Sequence, residues 1–340
     1  MGRIQALRPG YALLLIALVP LLMSEYSLSI ATEILIFGIL ALSLNILVGY
    51  TGLVSLGHAA FFGVGAYTSS LVALHVSQNL FFSLIASILV SMLLAAVIGF
   101  LCNKVSGFYF LMLTLAFSQM IYAFVFNWGS FTGGDNGLSG IPRPSIGLFS
   151  LEDSRHLYLL ILVVFSIVVV LLDVLVRSPL GQVWIGIREN EARMRAIGYN
   201  TARYKHLAFV LAGTIGGVAG SLYAYFNGFV SPKDMYWTLS GEVLIMVLIG
   251  GSRSLPGPVL GAAFLVILET WMSSYTDLWM LIIGMAFILF VVFVPDGIAG
   301  IGTRLMSRPG KYVQEPLMTT AAGDGVAAAP QSIQKEGVES

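Results

Sequence analysis

Residues 177–205 read RSPLGQVWIGIRENEARMRAIGYNTARYK, a charged interlude between two long apolar runs. Arg177, Arg188, Arg193, Arg195, Arg203 and Lys205 stand against only Glu189 and Glu191, a surplus of four positive charges. A short loop of that sign beside apolar spans belongs on the cytoplasmic side by the positive-inside rule. The stretch also carries the punctuation of a helix. Ser178-Pro179 supplies an N-cap and a proline at the first helical position. Glu189 precedes Arg193 by four residues, and Glu191 precedes Arg195 by four, an order that favours surface ion pairs worth about 0.2–0.5 kcal/mol each. Gly198 supplies a C-cap, and Asn200 or Thr201 caps the next helix, which enters the membrane near His206. From the residues alone two uses stay open: a solvated connector whose charge fixes topology, or a docking element for a soluble cytoplasmic partner.

Working outward, the chain around this loop is greasy. Of its 340 residues 57% are hydrophobic and 10% charged, and the mean hydropathy is +0.90. Soluble domains carry about 25% charged residues, so this chain has too few to cover a wet surface. Its fold class is all-α: a polytopic integral membrane protein whose backbone polar groups are satisfied within helices. The net charge of zero offers nothing that would draw nucleic acid. Cys102 is the single cysteine, which excludes an intrachain disulfide and a thiolate metal cluster. Arg3 and Arg8 precede an apolar run that no small-residue cleavage site follows. The run reads as a first span, with a signal peptide as the alternative.

At roughly 20 residues per crossing, the apolar runs predict about ten transmembrane helices, with short broken or re-entrant elements. The runs fall near 11–24, 31–49, 58–76, 81–101, 108–127, 157–176, 206–228, 239–250, 259–272 and 278–294. The runs 239–250 and 259–272 are short, and either crossing or re-entry fits them. With the N-terminus inside, fourteen of the seventeen basic residues face the cytoplasm, leaving Arg143, Arg155 and Lys233 outside. The expected division is a cytoplasmic N-terminus at 1–10 and a membrane domain at 11–297, with a polar outer loop at 128–156. A cytoplasmic tail follows at 298–340, largely disordered because it has no apolar period.

Polar groups within the spans are the candidates for a solute path, since each is costly in hydrocarbon. Asn45, His58, Thr114 and Gln119 lie within or beside apolar runs, and Glu269 sits inside the short run 259–272. Helix-to-helix hydrogen bonding is the plainer account of the Asn and Gln amides, with a solute path as the alternative. Asp173 is four residues before Arg177, which predicts a local ion pair. The glycines at 49, 52, 57, 63 and 65 permit the turning that broken helices use at a transport site, and also ordinary close packing. No P-loop, HExxH or histidine pair with metal-ligand spacing occurs. If ATP drives this protein, it is bound by another chain.

Four stretches carry a resemblance. They are LNILVGYTGLVSLGHAAFFGVGAY at 44–67, TGGDNGLSGIP at 132–142, IRENEARMRAIGYNTARYKHLAFVLAGTIGGVAGSLYA at 187–224, and GGSRSLPGPVLGA at 250–262. In order and spacing they resemble the LivM-type permease subunits of branched-chain amino acid ABC transporters, across roughly residues 30–300. The resemblance implies a multi-pass protein of the bacterial inner membrane with both termini cytoplasmic. Its partners would be a second, LivH-like permease, two cytoplasmic ABC ATPases, a periplasmic substrate-binding protein and membrane lipid, with no nucleic acid. The chain would hold no cofactor of its own, ATP and Mg being bound by the ATPases, and would be a transport subunit rather than an enzyme.

By the same resemblance Arg188, Glu189, Glu191, Ala192, Arg195 and Gly198 would couple to an ATPase. The spacing from Glu191 to Gly198 is one residue longer than the general importer motif, and Arg253 stands where the family more usually has glycine. The turn of Gly133, Gly134, Asp135, Asn136 and Gly137 would dock the binding protein; its composition suits an exposed linker equally. Urea, short amides or aromatic acids are alternative substrates within the family. An ion-coupled secondary transporter is the alternative of another class.

Overall fold

A computed structural model describes residues 24–103, 105, 107–146, 149–150, 153–252, 254–276, 278, 281–282, 284–285, 287–288 and 297–300. The expected first span apart from Ser24, most of the run 278–294, Lys104, Arg253, Asp277 and the tail beyond residue 300 lie outside them.

The described chain is helical, as the apolar runs require. Helix α1 (Glu25–Asn45) continues into a π-helical segment, Ile46–Thr51. Then come α2 (His58–His75), α3 (Leu80–Cys102) and α4 (Phe108–Asn127). A short turn of helix, α5 (Gly129–Thr132), and strands β1 (Leu138–Ser139), β2 (Ser145–Ile146) and β3 (Phe149–Ser150) occupy the loop that follows. Helix α6 (Ser154–Arg177) leads into α7 (Pro179–Ala196) and α8 (Thr201–Asn227). Strand β4 (Phe229–Val230), a 3-10 turn (Pro232–Met235), α9 (Trp237–Gly250) and α10 (Pro256–Ser273) complete the order. Strands β1 and β4 pair antiparallel, Leu138 opposite Val230, and β2 pairs with β3.

The expected count of about ten spans is not met among the described residues, where six helices are long and apolar enough to cross. These are α1 with its π extension, α3, α4, α6, α8 and α10. The run at 58–76 does form a helix, but two histidines, a threonine and two serines dilute its apolar character. The run at 239–250 forms the 14-residue α9, about 21 Å long at 1.5 Å per residue, short of a hydrocarbon core about 30 Å thick. Its neighbour at 259–272 extends to the full-length α10. The expected Asp173–Arg177 ion pair forms at 2.9 Å.

Burial separates centre from rim. In α1 and α8, 72% of the apolar window is buried, against 28% in α3, α4 and α6. Helix α3 shows the logic of the rim. Its bulky residues Phe81, Phe82, Ile85, Leu89, Leu93 and Phe100 point outward, while Ser83, Ser87, Ser91 and Ala95 are fully buried. Between helices in lipid, bulky apolar groups gain nothing by turning inward, whereas small ones let backbones approach. Ser87 Oγ lies 3.2 Å from the Gly65 carbonyl of α2 and 3.1 Å from the Gly217 carbonyl of α8, so one hydroxyl serves three helices. Tyr225 Oη donates to Ser83 Oγ at 2.5 Å.

The central contact is between α2 and α8. A β-carbon on Gly65 would collide with the Gly217 backbone, and one on Gly220 with the Phe62 carbonyl. These positions are glycine because two helix backbones touch there. Gly220→Val should cost about 3 kcal/mol or more, the upper range for overpacking a tight site. Gly241→Ala, where a β-carbon meets nothing within 4 Å, should be neutral. Unfolding midpoints in detergent for both variants check this.

Candidate functional site

The expected loop helix is present as α7, but it is bent. Asn190 leaves helical geometry (φ −160°, ψ 95°), and its Oδ1 accepts the Arg193 backbone N–H at 2.9 Å. Asn190 therefore caps a second, short helical segment inside the loop. The bend separates the faces that sequence spacing would align. Glu191 pairs with Arg195 at 2.5 Å, whereas no ion pair joins Glu189 to Arg193 among the described residues. The first segment is anchored: Trp184 is fully buried and its Nε1–H donates to the Tyr204 carbonyl at 2.9 Å.

The second segment ends as predicted at Gly198, with φ +94°. Its N–H donates to the Arg195 carbonyl at 3.0 Å, and the Tyr199 N–H to the Met194 carbonyl at 3.1 Å, the two bonds of a Schellman cap. Asn200 Oδ1 then caps α8 by accepting the Arg203 N–H. Ala192, Arg193, Arg195, Ala196, Ile197 and Tyr199 are left exposed, forming a basic tip with an apolar point.

Glu191 is not part of that tip surface. Oε2 lies 2.5 Å from Lys205 Nζ, and Oε1 accepts from Arg195 at 2.5 Å and from Thr201 Oγ1 at 3.0 Å. Lys205 is buried near the start of α8, its side chain 7% exposed. Partial burial pushes the Glu191 carboxyl up, but the hydrogen bonds from Lys205 and Arg195, the Lys205 charge and the Thr201 hydroxyl outweigh it, so it sits below the usual carboxylate range.

On the other side of the bend, Arg188 Nη1 donates to the Gly49 carbonyl in the π segment. Its aliphatic stem lies over Gly52, where φ is +73° and a β-carbon would stand 2.9 Å from Arg188 Cγ. The loop is thus bolted to the α1–α2 junction as well as to α8.

That junction collects three of the five path candidates. Asn45 is fully buried and its Nδ2 donates to the Ser254 carbonyl at 3.2 Å, tying the turn before α10. Thr114 accepts the Leu56 N–H at 3.3 Å and donates to the Leu111 carbonyl at 2.9 Å. His58 is fully buried with Nε2 3.0 Å from Ser43 Oγ. Ser43 Oγ also lies 2.6 Å from the Leu40 carbonyl, which takes its proton. Nε2 therefore donates, and Nδ1 is left as a sealed lone pair without a described partner. Gln119 Nε2 is likewise sealed and unpartnered. Glu269 is elsewhere: it lies 13 residues along α10, about 20 Å from the junction end, within electrostatic reach of Glu33 and Glu242.

The family described as "Branched-chain amino acid transport system / permease component" matches residues 26–291. The chain belongs to this permease family. A high-affinity branched-chain amino acid transport system permease protein LivM of Salmonella typhimurium is 34% identical, over 84% of this chain and 73% of its own length. A LivM of Methanocaldococcus jannaschii is 24% identical, over 77% and 90%. A LivH permease of Salmonella typhimurium is 21% identical, over 78% and 91%. No solved structure matches the chain.

At the far end of this permease, the 133–137 turn divides into scaffold and surface. Gly133, Gly134 and Gly137 all have positive φ, and a β-carbon on Gly137 would strike the Val230 carbonyl. Asp135 and Asn136 alone in the turn are well exposed. Sequence reasoning missed Asn190 as a cap, and Thr201 and Lys205 as the partners of Glu191. An Asn followed by Glu is a cap signal and was there to be found. Lys205 lies 14 residues from Glu191 across a turn, and no local period links them.

Glu191→Gln should strand Lys205 without a counter-charge, at a cost of about 3 kcal/mol. Limited proteolysis between residues 190 and 204, with the detergent unfolding midpoint, reads the loss. Because the folded carboxyl is the more acidic, its contribution is present above the unfolded value and is lost as pH falls through the lowered folded value. Protection of the loop should therefore persist near pH 5 in the parent protein.

Proposed function

We propose that this permease is one of two membrane subunits of an ATP-driven importer that carries branched-chain amino acids across the bacterial inner membrane. The observation that carries the reading is the loop: a charged tip, fixed by a Schellman cap and bolted to two parts of the bundle, in a chain that matches the permease family over residues 26–291. A loop built to transmit force suits a protein whose energy arrives from a soluble partner.

The remaining assignments rest on this reading. Two cytoplasmic ATPases bind ATP and Mg and receive the tip at Ala192, Ala196, Ile197 and Tyr199. Arg188 and Glu191 work behind the contact, and Gly198 gives the tip its shape. Both termini lie in the cytoplasm. Asp135 and Asn136 face a periplasmic binding protein. The apolar outer faces of α3, α4 and α6 meet lipid and the second permease. The match of this chain to relatives named LivM and to others named LivH supports a pair of related bundles. No bond of the substrate is broken, so the chain positions and passes its solute without catalytic residues. Asn45, His58 and Thr114 at the junction border the solute path, with Gln119 further along α4 and Glu269 towards its outer end.

Reconstitution tests the reading. In vesicles holding both permeases and the ATPases, labelled leucine should enter only with ATP and binding protein outfitted on their proper sides. Leucine uptake by the permeases alone would favour an ion-coupled carrier and end this reading; ATP-driven uptake of urea or an aromatic acid instead would change the substrate. Ile197→Asp should weaken co-purification of the ATPases by about tenfold, as for a truncated interface anchor, with the bundle still folded.

A further inference from the structure

Behind the tip, the two bolts described above lie on opposite sides of one bent residue. Arg188 precedes Asn190 by two positions and grips the Gly49 carbonyl and the Gly52 backbone. Glu191 follows Asn190 immediately and grips Lys205 and Thr201 on α8. Only Glu189 and Asn190 lie between, both exposed and free of the bundle's core. The two segments also touch across the bend, since a β-carbon on Gly186 would stand 2.8 Å from Met194 Sδ.

The destinations matter. The first arm ends on the π segment, whose continuation through residues 52–57 carries the first residue of α2. That turn is tight: Gly57 is pressed against the Thr114 backbone, and Ala59 N–H donates to Ser240 Oγ at 2.9 Å. The link from Gly49–Gly52 to α2 is thus held at Leu53 by the Leu47 carbonyl, at Leu56 by Thr114 and at Ala59 by Ser240. The second arm ends on Lys205, in the second turn of α8. Helices α2 and α8 are the pair whose backbones touch at Gly65, Gly217 and Gly220.

We propose that Lys205 and Arg188 are positioning residues for transport: they split movement of the loop tip between α8 and the head of α2, so that the two central helices shift against one another. Glu191 is then a tie into the bundle rather than a contact with an outside partner. This rests on the coupling role proposed above for the loop.

The test uses the complete complex in vesicles and measures assembly, ATP hydrolysis and leucine uptake separately. Lys205→Met and Arg188→Met should still assemble with the ATPases, while the ATP hydrolysed per leucine imported rises about tenfold, within the range of coupling between linked sites. Lys205→Glu and Glu191→Lys should each lose uptake, and the doubly reversed protein should regain it. Uptake per ATP within about twofold of the parent in Lys205→Met would overturn the proposal. So would a doubly reversed protein no better than either single reversal, or losses of uptake that only follow losses of assembled complex. If the parent complex itself imports leucine without ATP, the coupling reading fails; if the parent couples and the variants couple equally, only the positioning role fails.

Discussion

The bundle depends on two helix backbones in contact. In lipid there is no water to expel between helices, so association comes from close packing and from hydrogen bonds that span the seam. Gly65, Gly217 and Gly220 remove the side chains that would hold α2 and α8 apart, and Ser87 of α3 reaches the two carbonyls exposed beside that contact. The rest of the bundle is arranged around this seam, and α3 turns its large apolar side chains outward so that its serines and Ala95 face inward. A close-packed seam is also a place where small displacements matter, because packed interfaces move between discrete arrangements rather than stretching.

The charged loop completes that logic at the other end of the same two helices. A lone basic loop would be a topological marker and nothing more. Here its charges are divided between two tasks. Arg193 and Arg195 stand at the surface, whereas Arg188 and Lys205 are turned into the bundle and matched to a carbonyl and a carboxylate. The partly buried Lys205–Glu191 pair is worth little as net stability, since desolvation offsets much of its attraction, but it is costly to break from one side. That asymmetry suits a tie that must not slip.

Much of this could be read in the chain itself, and the failures are instructive. The helix Pro179–Ala196, its Gly198 cap and the Asp173–Arg177 pair follow from neighbours within five residues, and all three are present. The Glu189–Arg193 pair was expected on the same grounds and does not form, because Asn190 competes for the backbone and breaks the helical register. About ten spans were expected; six helices among the described residues are long and apolar enough to cross, and the runs at 11–24 and 278–294 fall almost wholly outside those residues. Helix α2 is sheltered, so it tolerates His58, Thr68 and two serines; α9 is too short to cross. Asn45 and Thr114 looked like path residues because they are polar in apolar runs, and the structure shows that each also holds a turn through a backbone partner.

Composition and local spacing by themselves determined that the chain is an all-helical membrane protein, where its charged loop lies, and how that loop starts and stops. These are properties of hydropathy, capping and charge, which act over a turn or two of chain. Only the tertiary structure decided that Glu191 faces Lys205, that Arg188 lies across Gly52, and that Gly65 meets Gly217. Each joins residues 14, 136 and 152 positions apart. No short-range preference reaches that far; such contacts exist only once the helices have packed and left those atoms no other partner.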